Sequence, residues 1–376
     1  MKIFFRLIAS MAALIMLSAL CCGCGAAEGM LREETYEEQS GEETQKNAGQ
    51  YAKGAWRSTD VAMGTVIQQT LYAPEKEASA VSSECMELLE KLEGEELSWR
   101  MDTSEVYRLN ASARNGEGNP VSEDMAFLLE RCMEISGNSD GAFDITLGSL
   151  TRLWNIDKWA VEGASEGISL PSAEEVKEAL SFCGSEKLRL ERNPEGGPGG
   201  RLFLPEGMLL DLGAVGKGVA LSRLCSLLEE RPDVSGAVIS LGGNILTYGV
   251  KPDGGAWRVA ITNPFDTAES VGTLSLEGQW CVSTSGDYER YVEAEGMRYH
   301  HILDPATGYP AETRVKGVSI LSKDGLLGDA LSTACFILGP EKGIKLAEYY
   351  GAEALFVMDD GELILSEGMG QYFRAD

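Results

Sequence analysis

The chain has 376 residues, with 32 basic and 59 acidic side chains and a formal net charge of −27. That length exceeds one small domain and suffices for one large core or two subdomains. A nucleic-acid binder needs a basic footprint to replace the counterions on phosphates, and this composition offers none, so no nucleic-acid partner is expected.

The chain opens as an export signal. Met1-Lys2-Ile3-Phe4-Phe5-Arg6 is a short basic start, and Leu7 to Leu20 is apolar but short for a bilayer span. It ends in Cys21-Cys22-Gly23-Cys24-Gly25, a pattern that points to lipoprotein processing. Cys24 is the expected lipidated residue, because Gly23 precedes it and a polar tail follows; Cys21 and Cys22 are the alternatives, since Leu20 stands four residues before Cys24 rather than three. An ordinary cleaved signal or an uncleaved anchor stays open, and each implies export. Residues 1–23 are thus read as signal peptide and 24–55 as an acidic flexible tether. Runs such as Glu33-Glu34-Thr35-Tyr36-Glu37-Glu38 lack the apolar surface to fold. Residues 56–376 form the expected domain.

Within it, Trp56 to Leu71 alternates as a strand, with a close backbone approach at Gly64. Ala78 to Leu92 and Ser122 to Ser136 repeat apolar residues at helical spacing, and Ser122 is a plausible N-cap. Gly141 to Gly148 is a loop, and an apolar stretch follows to Trp154. Ser172 to Phe182 is a third helix, opened by the capping pattern Ser172-Ala173-Glu174-Glu175. Asn193 to Gly200 is a Pro/Gly-rich turn, Leu209 to Leu212 a strand and Val215 to Leu228 a helix. Ala237 to Leu241, Trp257 to Ile261, Val271 to Leu276 and Gly317 to Leu321 read as strands. Asp329 to Leu338 and Gly343 to Tyr350 read as helices, and Ala354 to Leu365 as a hairpin around Asp359-Asp360-Gly361. Helices and strands mix without a βαβ repeat, so the fold class is α+β. Cys85, Cys132, Cys183, Cys225, Cys281 and Cys335 are scattered without CxxC spacing, which argues against zinc. Cys85, Cys132 and Cys225 sit in helical patterns as small buried hydrophobes.

Four runs could carry chemistry. His300 and His301 are the only histidines, and they open His301-Ile302-Leu303-Asp304-Pro305-Ala306-Thr307-Gly308. Any imidazole proton carrier must be one of them. Asp-Pro-x-x-Gly makes a rigid turn able to hold His301 and Asp304 in fixed relation, and a hairpin turn with a satisfied histidine is the plainer reading. Asp211-Leu212-Gly213-Ala214-Val215-Gly216-Lys217-Gly218 follows a strand and opens a helix, which suits a phosphate facing helix N–H groups, with Lys217 as a point charge. A tight glycine turn into a helix explains the same residues. Asp329 and Thr333 stand four apart, on one face of a helix. They suit Mg²⁺, while a dipole-stabilised Asp near a helix N-terminus is the alternative. Trp99, in Leu97-Ser98-Trp99-Arg100, either stacks on a flat ring or fills a core.

The order of the runs decides among these readings. Met63-Gly64-Thr65, Ser104-Glu105 with Leu109-Asn110, Phe143-Asp144-Ile145-Thr146 with Leu153-Trp154, and Asp211-Leu212-Gly213 with Lys217-Gly218 come first. Gly242-Gly243-Asn244, Ser285-Gly286-Asp287-Tyr288, His301-Ile302-Leu303-Asp304-Pro305 with Thr307-Gly308, and Asp329-Ala330-Leu331-Ser332-Thr333 follow. This series resembles the ApbE family of FAD:protein FMN transferases from about Trp56 to the C-terminus.

The resemblance implies an enzyme that binds FAD and Mg²⁺ and moves FMN onto a Thr or Ser hydroxyl of another protein, forming a phosphoester and releasing AMP. It implies exported or membrane redox acceptors, such as subunits of NADH:quinone or Rnf-type complexes, and a lipid-anchored place on the outer face of the cytoplasmic membrane. By matching position, Met63, Trp99, Ala142, Phe143, Asp144, Asp211 and Lys217 are the implied FAD contacts; the family more often has Tyr where Trp99 stands. Asp329 and Thr333, with the Ala214 carbonyl, are the implied metal ligands, and His301 is the implied base, oriented by Asp304. Gly216 departs from the family's usual Ala, a change expected to alter packing rather than chemistry. The chain has no Asp-x-x-Ser/Thr-Gly-Ala-Thr acceptor segment, so self-modification is not expected. An FAD hydrolase giving FMN and AMP, or a non-catalytic FAD-binding lipoprotein, are the rival functions.

Overall fold

A nine-stranded antiparallel sheet organises the computed structural model, which describes residues 49–52, 54–113, 117–162, 168–193 and 197–376. The signal peptide, Cys21, Cys22, Cys24 and the tether up to residue 48 lie outside the described residues. The sheet runs, in spatial order, Gln50–Ala52, Ala55–Ala62, Thr65–Tyr72, Gly236–Leu241, Asn244–Gly249, Trp280–Gly286, Val315–Ser322, Glu353–Met358 and Leu363–Leu365. Side chains alternate faces along each strand, so one sheet can feed two cores. Cys281, Val318 and Phe356 face the helices Glu75–Lys91, Gly216–Glu229 and Gly325–Tyr349 in the larger core. Val282, Leu321 and Leu355 face a small antiparallel sheet of Trp257–Asn263, Asp266–Leu276 and Phe373–Ala375. A third cluster gathers Leu150, Trp154, Val176 and Leu303 under the loop that carries His301.

The mixed, non-repeating architecture agrees with α+β, and several local signals read as expected. Ser122 accepts a hydrogen bond from the Met125 N–H, and Ser172 with Glu175 forms a complete capping box. The six domain cysteines are free and buried. Among the described residues no helix is long and apolar enough to cross a membrane.

Other elements differ. Trp56 to Leu71 is a hairpin rather than one strand, because Met63 (φ 52°) and Gly64 (φ 69°) form a two-residue turn. The expected strand Leu209–Leu212 has a single bridge, Leu209 with Leu147. Its neighbouring backbone groups go elsewhere: the Asn110 side chain donates to the Leu210 carbonyl and accepts from its N–H, and the Asp211 N–H donates to the Ile145 carbonyl. The helix with Asp329 starts at Gly325, since Asp324 caps it by accepting from the Leu327 N–H. It meets the last helix at Gly339 (φ 72°, ψ 175°), just before Pro340. The first strand among the described residues, Gln50–Ala52, falls inside the segment read as tether and pairs with Ala55–Arg57. Sequence reading also missed the hairpin Tyr291–Ala294 with Met297–His300, and the small sheet of Asn119–Val121, Gly200–Phe203 and Arg189–Arg192.

Candidate active site

Tight turns at strand ends bring distant segments to one cavity of about 660 Å³. Met63 reaches it from the first hairpin turn, where its N–H donates to Glu93 at 2.8 Å. Gly242 and Gly243, both with positive φ (50° and 96°), turn Gly236–Leu241 into Asn244–Gly249 and place Asn244 wholly inside. The helix Gly216–Glu229 points its N-terminus at the cavity, where Asp211, Ala214 and Lys217 all line the wall. The Asp211 Oδ1 accepts from the Gly213 N–H at 2.8 Å, which fixes the entry into that helix.

Asp329 is the centre of the polar wall. It is 4% exposed; its Oδ2 accepts from the Gly218 N–H and its Oδ1 from Asn244 Nδ2, each at 2.7 Å. Burial raises its pKa above the ordinary carboxylate value, against the pull of Lys217, Asn244, Gly218 and Arg290. The close approach depends on glycine: a Cβ at Gly218 would stand 2.2 Å from the Gly325 carbonyl oxygen and 2.5 Å from Asp329 Cβ. Thr333, one turn on, lines the same cavity. Ser332 donates back to the Asp329 carbonyl and pairs with Ser285.

His301 lines the cavity as well. Its Nδ1 lies 3.2 Å from the Arg290 carbonyl oxygen, so the Nδ1–H tautomer donates there and leaves Nε2 as a bare acceptor. Burial, then the Arg290 charge, hold its pKa well below the usual 6.5, with Lys217 and His300 acting in the same direction. His300 does not line this cavity; its Nε2 lies 3.1 Å from the Ala311 carbonyl oxygen. Asp304 does not orient His301. Its Oδ1 caps its own turn by accepting from the Ala306 N–H, and its carbonyl accepts from the Gly308 N–H. Trp154 Nε1 pins that turn by donating to the Gly308 carbonyl at 2.8 Å.

The expected flavin contacts divide by environment. Met63, Trp99, Ala142, Asp144, Asp211 and Lys217 line the cavity. The Phe143 side chain does not; it is fully buried in the larger core, where an aromatic ring gains most from leaving water. The Asp144 carboxylate is committed to scaffolding: its Oδ1 takes donors from Thr146 and Ser185, and its Oδ2 takes the Ser185 N–H. Arg100 and Arg152 hold their guanidinium groups 4.1 and 4.8 Å from the Trp99 ring centre, so a stacking ligand competes with them.

Two lining residues, and one buried partner of Asp329, were not singled out by sequence reasoning. Glu289 sits 4.0 Å from Lys217, and burial and Asp329 raise its pKa. Asp157 joins Arg100 at 3.1 Å to Arg290 at 2.8 Å across the cavity wall. Asn244 was visible only as part of a Gly-Gly-Asn run, and its bond to Asp329 spans 85 positions of sequence.

Fold and cavity together define an enzyme whose site can meet an anion with a helix N-terminus and a lysine, and sets a buried carboxylate and a neutral imidazole in the same cavity. The ApbE family model matches residues 63–356, and the chain belongs to that family. A FAD:protein FMN transferase of Treponema pallidum is 33% identical over 367 residues, covering 94% of this chain and 92% of that one. One of Klebsiella pneumoniae is 33% identical over 311 residues, covering 81% and 90%. Among solved structures, the ApbE protein of Thermotoga maritima superposes with a TM-score of 0.74 at 29% identity, covering 85% of this chain and 99% of that one. The flavinyl transferase ApbE of Pseudomonas stutzeri gives 0.71 at 30% identity, covering 89% and 99%.

Proposed function

We propose that this chain is a Mg²⁺-dependent FAD:protein FMN transferase that joins FMN to a Thr or Ser hydroxyl of an exported or membrane redox protein and releases AMP. One observation carries the reading: Asp329, Lys217 and His301, whose Nε2 is left as an acceptor, line a single cavity. Storage of FAD needs neither the buried carboxylate nor the imidazole.

The donors available fit Mg²⁺. The Asp329 carboxylate, the Thr333 hydroxyl and the Ala214 carbonyl all offer oxygen, the ligand type that Mg²⁺ takes alongside water and phosphate. Each Asp329 oxygen accepts one protein hydrogen bond, so each keeps a lone pair. Among the described residues no three His, Cys, Asp or Glu side chains converge, which is the ligand count a zinc site requires. Bound there, Mg²⁺ would offset charge on the pyrophosphate and on the departing AMP.

The chain's own residues supply the rest. Lys217 attracts the phosphates, helped by the positive end of the Gly216–Glu229 dipole rather than by the Gly216 and Gly218 N–H groups, which already donate to Leu212 and Asp329. His301 is the base: neutral at pH 7, it takes the proton of the acceptor hydroxyl at Nε2 as the oxygen bonds to the FMN phosphorus and the bond to AMP breaks. The Arg290 carbonyl, rather than Asp304, keeps the ring in the right tautomer. The export signal, Cys24 and the tether support a lipid-anchored enzyme at the outer face of the cytoplasmic membrane, where acceptors such as Rnf or NADH:quinone subunits lie.

The test mixes the protein with FAD, Mg²⁺ and an exported acceptor domain carrying Asp-x-x-Ser/Thr-Gly-Ala-Thr, and weighs the acceptor by intact-mass spectrometry. An FMN-sized gain that needs Mg²⁺ and His301 supports the proposal. Free FMN and AMP without any gain mark a hydrolase, and FAD bound without turnover marks a storage protein. A shortened version has to keep Gln50–Ala52, since this strand completes the sheet edge.

A further inference from the structure

The strand Trp257–Asn263 is the edge of the small sheet, with only Asp266–Leu276 paired to it. Among the described residues it is an unusual edge. The other edge strands, Gln50–Ala52, Leu363–Leu365, Phe373–Ala375, Asn119–Val121, Arg189–Arg192 and the two of the Tyr291–His300 hairpin, have three or four residues; this one has seven. Short edges are a common safeguard against unwanted pairing, along with lysine, proline and bulges. Trp257–Asn263 contains no lysine or proline, its one charged side chain, the exposed Arg258, lies outside the stretch that lines the cavity, and the register irregularities of its ladder fall on the partner strand.

This edge also meets the active-site cavity. Val259, Ala260, Ile261 and Thr262 all line it, although Val259 and Ile261 are buried and Ala260 and Thr262 are exposed. Side chains of successive strand residues point to opposite faces. Four in a row can border one cavity only where the cavity runs along the strand's edge. Alternate residues of an antiparallel edge turn both N–H and C=O outward, so unpaired backbone groups are presented beside the cavity. The exposed side chains there are small, and Phe265, 56% exposed, follows in the next turn as an apolar anchor.

We infer that the free edge of Trp257–Asn263 is the docking strand for the acceptor protein. The acceptor's hydroxyl-bearing segment binds as an added β-strand, and its side chains on one face enter the cavity. This inference rests on the transferase reading above. Backbone pairing explains how one site could accept segments that differ in side chains, because main-chain hydrogen bonds provide the affinity. The occupant is a flexible segment with a Ser or Thr and small neighbours, able to become extended.

Hydrogen–deuterium exchange on the full chain with FAD and Mg²⁺, with and without a synthetic peptide built on Asp-x-x-Thr-Gly-Ala-Thr, tests it without mutating the enzyme. The peptide should slow exchange of alternate amides in 257–263 by about tenfold or more. N-methylation of alternate peptide amides should raise the peptide's KM by about tenfold, while methylation of the intervening ones leaves it near the parent value. Transfer that proceeds with no protection of 257–263 and no alternation in KM overturns the docking strand alone. Protection already complete before peptide is added also overturns it, because another segment or a second copy then covers the edge. No FMN gain on either the peptide or a folded acceptor domain, with FAD bound, overturns the transferase reading and the docking strand with it.

Discussion

Gly216 and Gly218 stand two residues apart at the start of one helix, and the same substitution should act on them in opposite directions. A Cβ at Gly216 finds its nearest atoms at 3.9 and 4.0 Å, on Met63 and Leu97, an ordinary contact. Alanine there removes backbone freedom from the unfolded chain and should stabilise the protein by about 0.4–1 kcal/mol. A Cβ at Gly218 meets the Gly325 carbonyl oxygen at 2.2 Å and Asp329 Cβ at 2.5 Å. Neither obstacle is a flexible side-chain end, so the two helices must separate by about 1 Å, and overpacking of this kind costs about 1–3 kcal/mol. The variants should therefore differ by about 1.4–4 kcal/mol in equilibrium urea unfolding, with Gly218→Ala the weaker. Gly218→Ala also moves Asp329, and a displacement of about 1 Å at a catalytic group can cost about 100-fold in rate. Equal stabilities for the two variants, or full transfer activity in Gly218→Ala, would refute the claim that this helix crossing sets the position of Asp329.

His301→Asn should lower FMN transfer by about 10²–10⁴-fold while FAD affinity, read by fluorescence quenching, stays within a few-fold; equal loss of both would make His301 a positioning residue. Because burial and neighbouring cations hold the His301 pKa well below 6.5, its neutral form persists as pH falls through 6.5. Initial rates should show no acidic limb there, and a limb at 6.5 contradicts the assignment. Asp329 has the opposite sign. Its folded pKa is raised by burial, so the stability it contributes without metal is fully present below 3.8 and is lost as pH rises through the folded value. Mg²⁺ needs the carboxylate, so the rise in Tm on adding Mg²⁺ should grow through that same interval and vanish in Asp329→Ala; an unchanged rise in the variant sinks the metal site. Burial pushes the Cys85, Cys183 and Cys281 thiols up to about 12, and all six domain cysteines are buried. Iodoacetamide near pH 8 should label none of the six until the protein unfolds, and rapid labelling of any one contradicts the packing.

Local signals were legible where one short segment decides the structure. Ser122 and Ser172 each cap a helix through a bond three residues along, and Asp-Pro-x-x-Gly turns through bonds inside itself. The single strand read across Trp56 to Leu71 failed because the turn uses Met63 at φ 52°, a conformation rare outside glycine, asparagine and aspartate. The strand at Leu209–Leu212 failed because its backbone partners come from an asparagine side chain 100 residues away. Nothing in the local pattern announces such a partner.

The same limit governs the site, and it decides how family motifs should be read. A motif residue has the chemistry of its type, but burial and prior bonds decide whether that chemistry is free. Asp144 and Asp329 are both buried aspartates in motif runs and both border the cavity. Asp144 spends its oxygens on Thr146 and Ser185, which ties the 141–148 loop to the short turn Ser185–Lys187. Asp329 accepts one bond on each oxygen and remains the carboxylate that Lys217, Glu289 and Arg290 all feel. Asp304 accepts its own turn's N–H and leaves His301 to the Arg290 carbonyl. Sequence spacing treats these three aspartates alike; the bonds each accepts after folding, together with whether it borders the cavity, separate a clamp, a ligand-binding carboxylate and a turn cap. On those two grounds Asp329 is the one whose loss should change chemistry: Asp304 does not border the cavity and Asp144 is the most heavily bonded, so loss of either should act through the loops they hold.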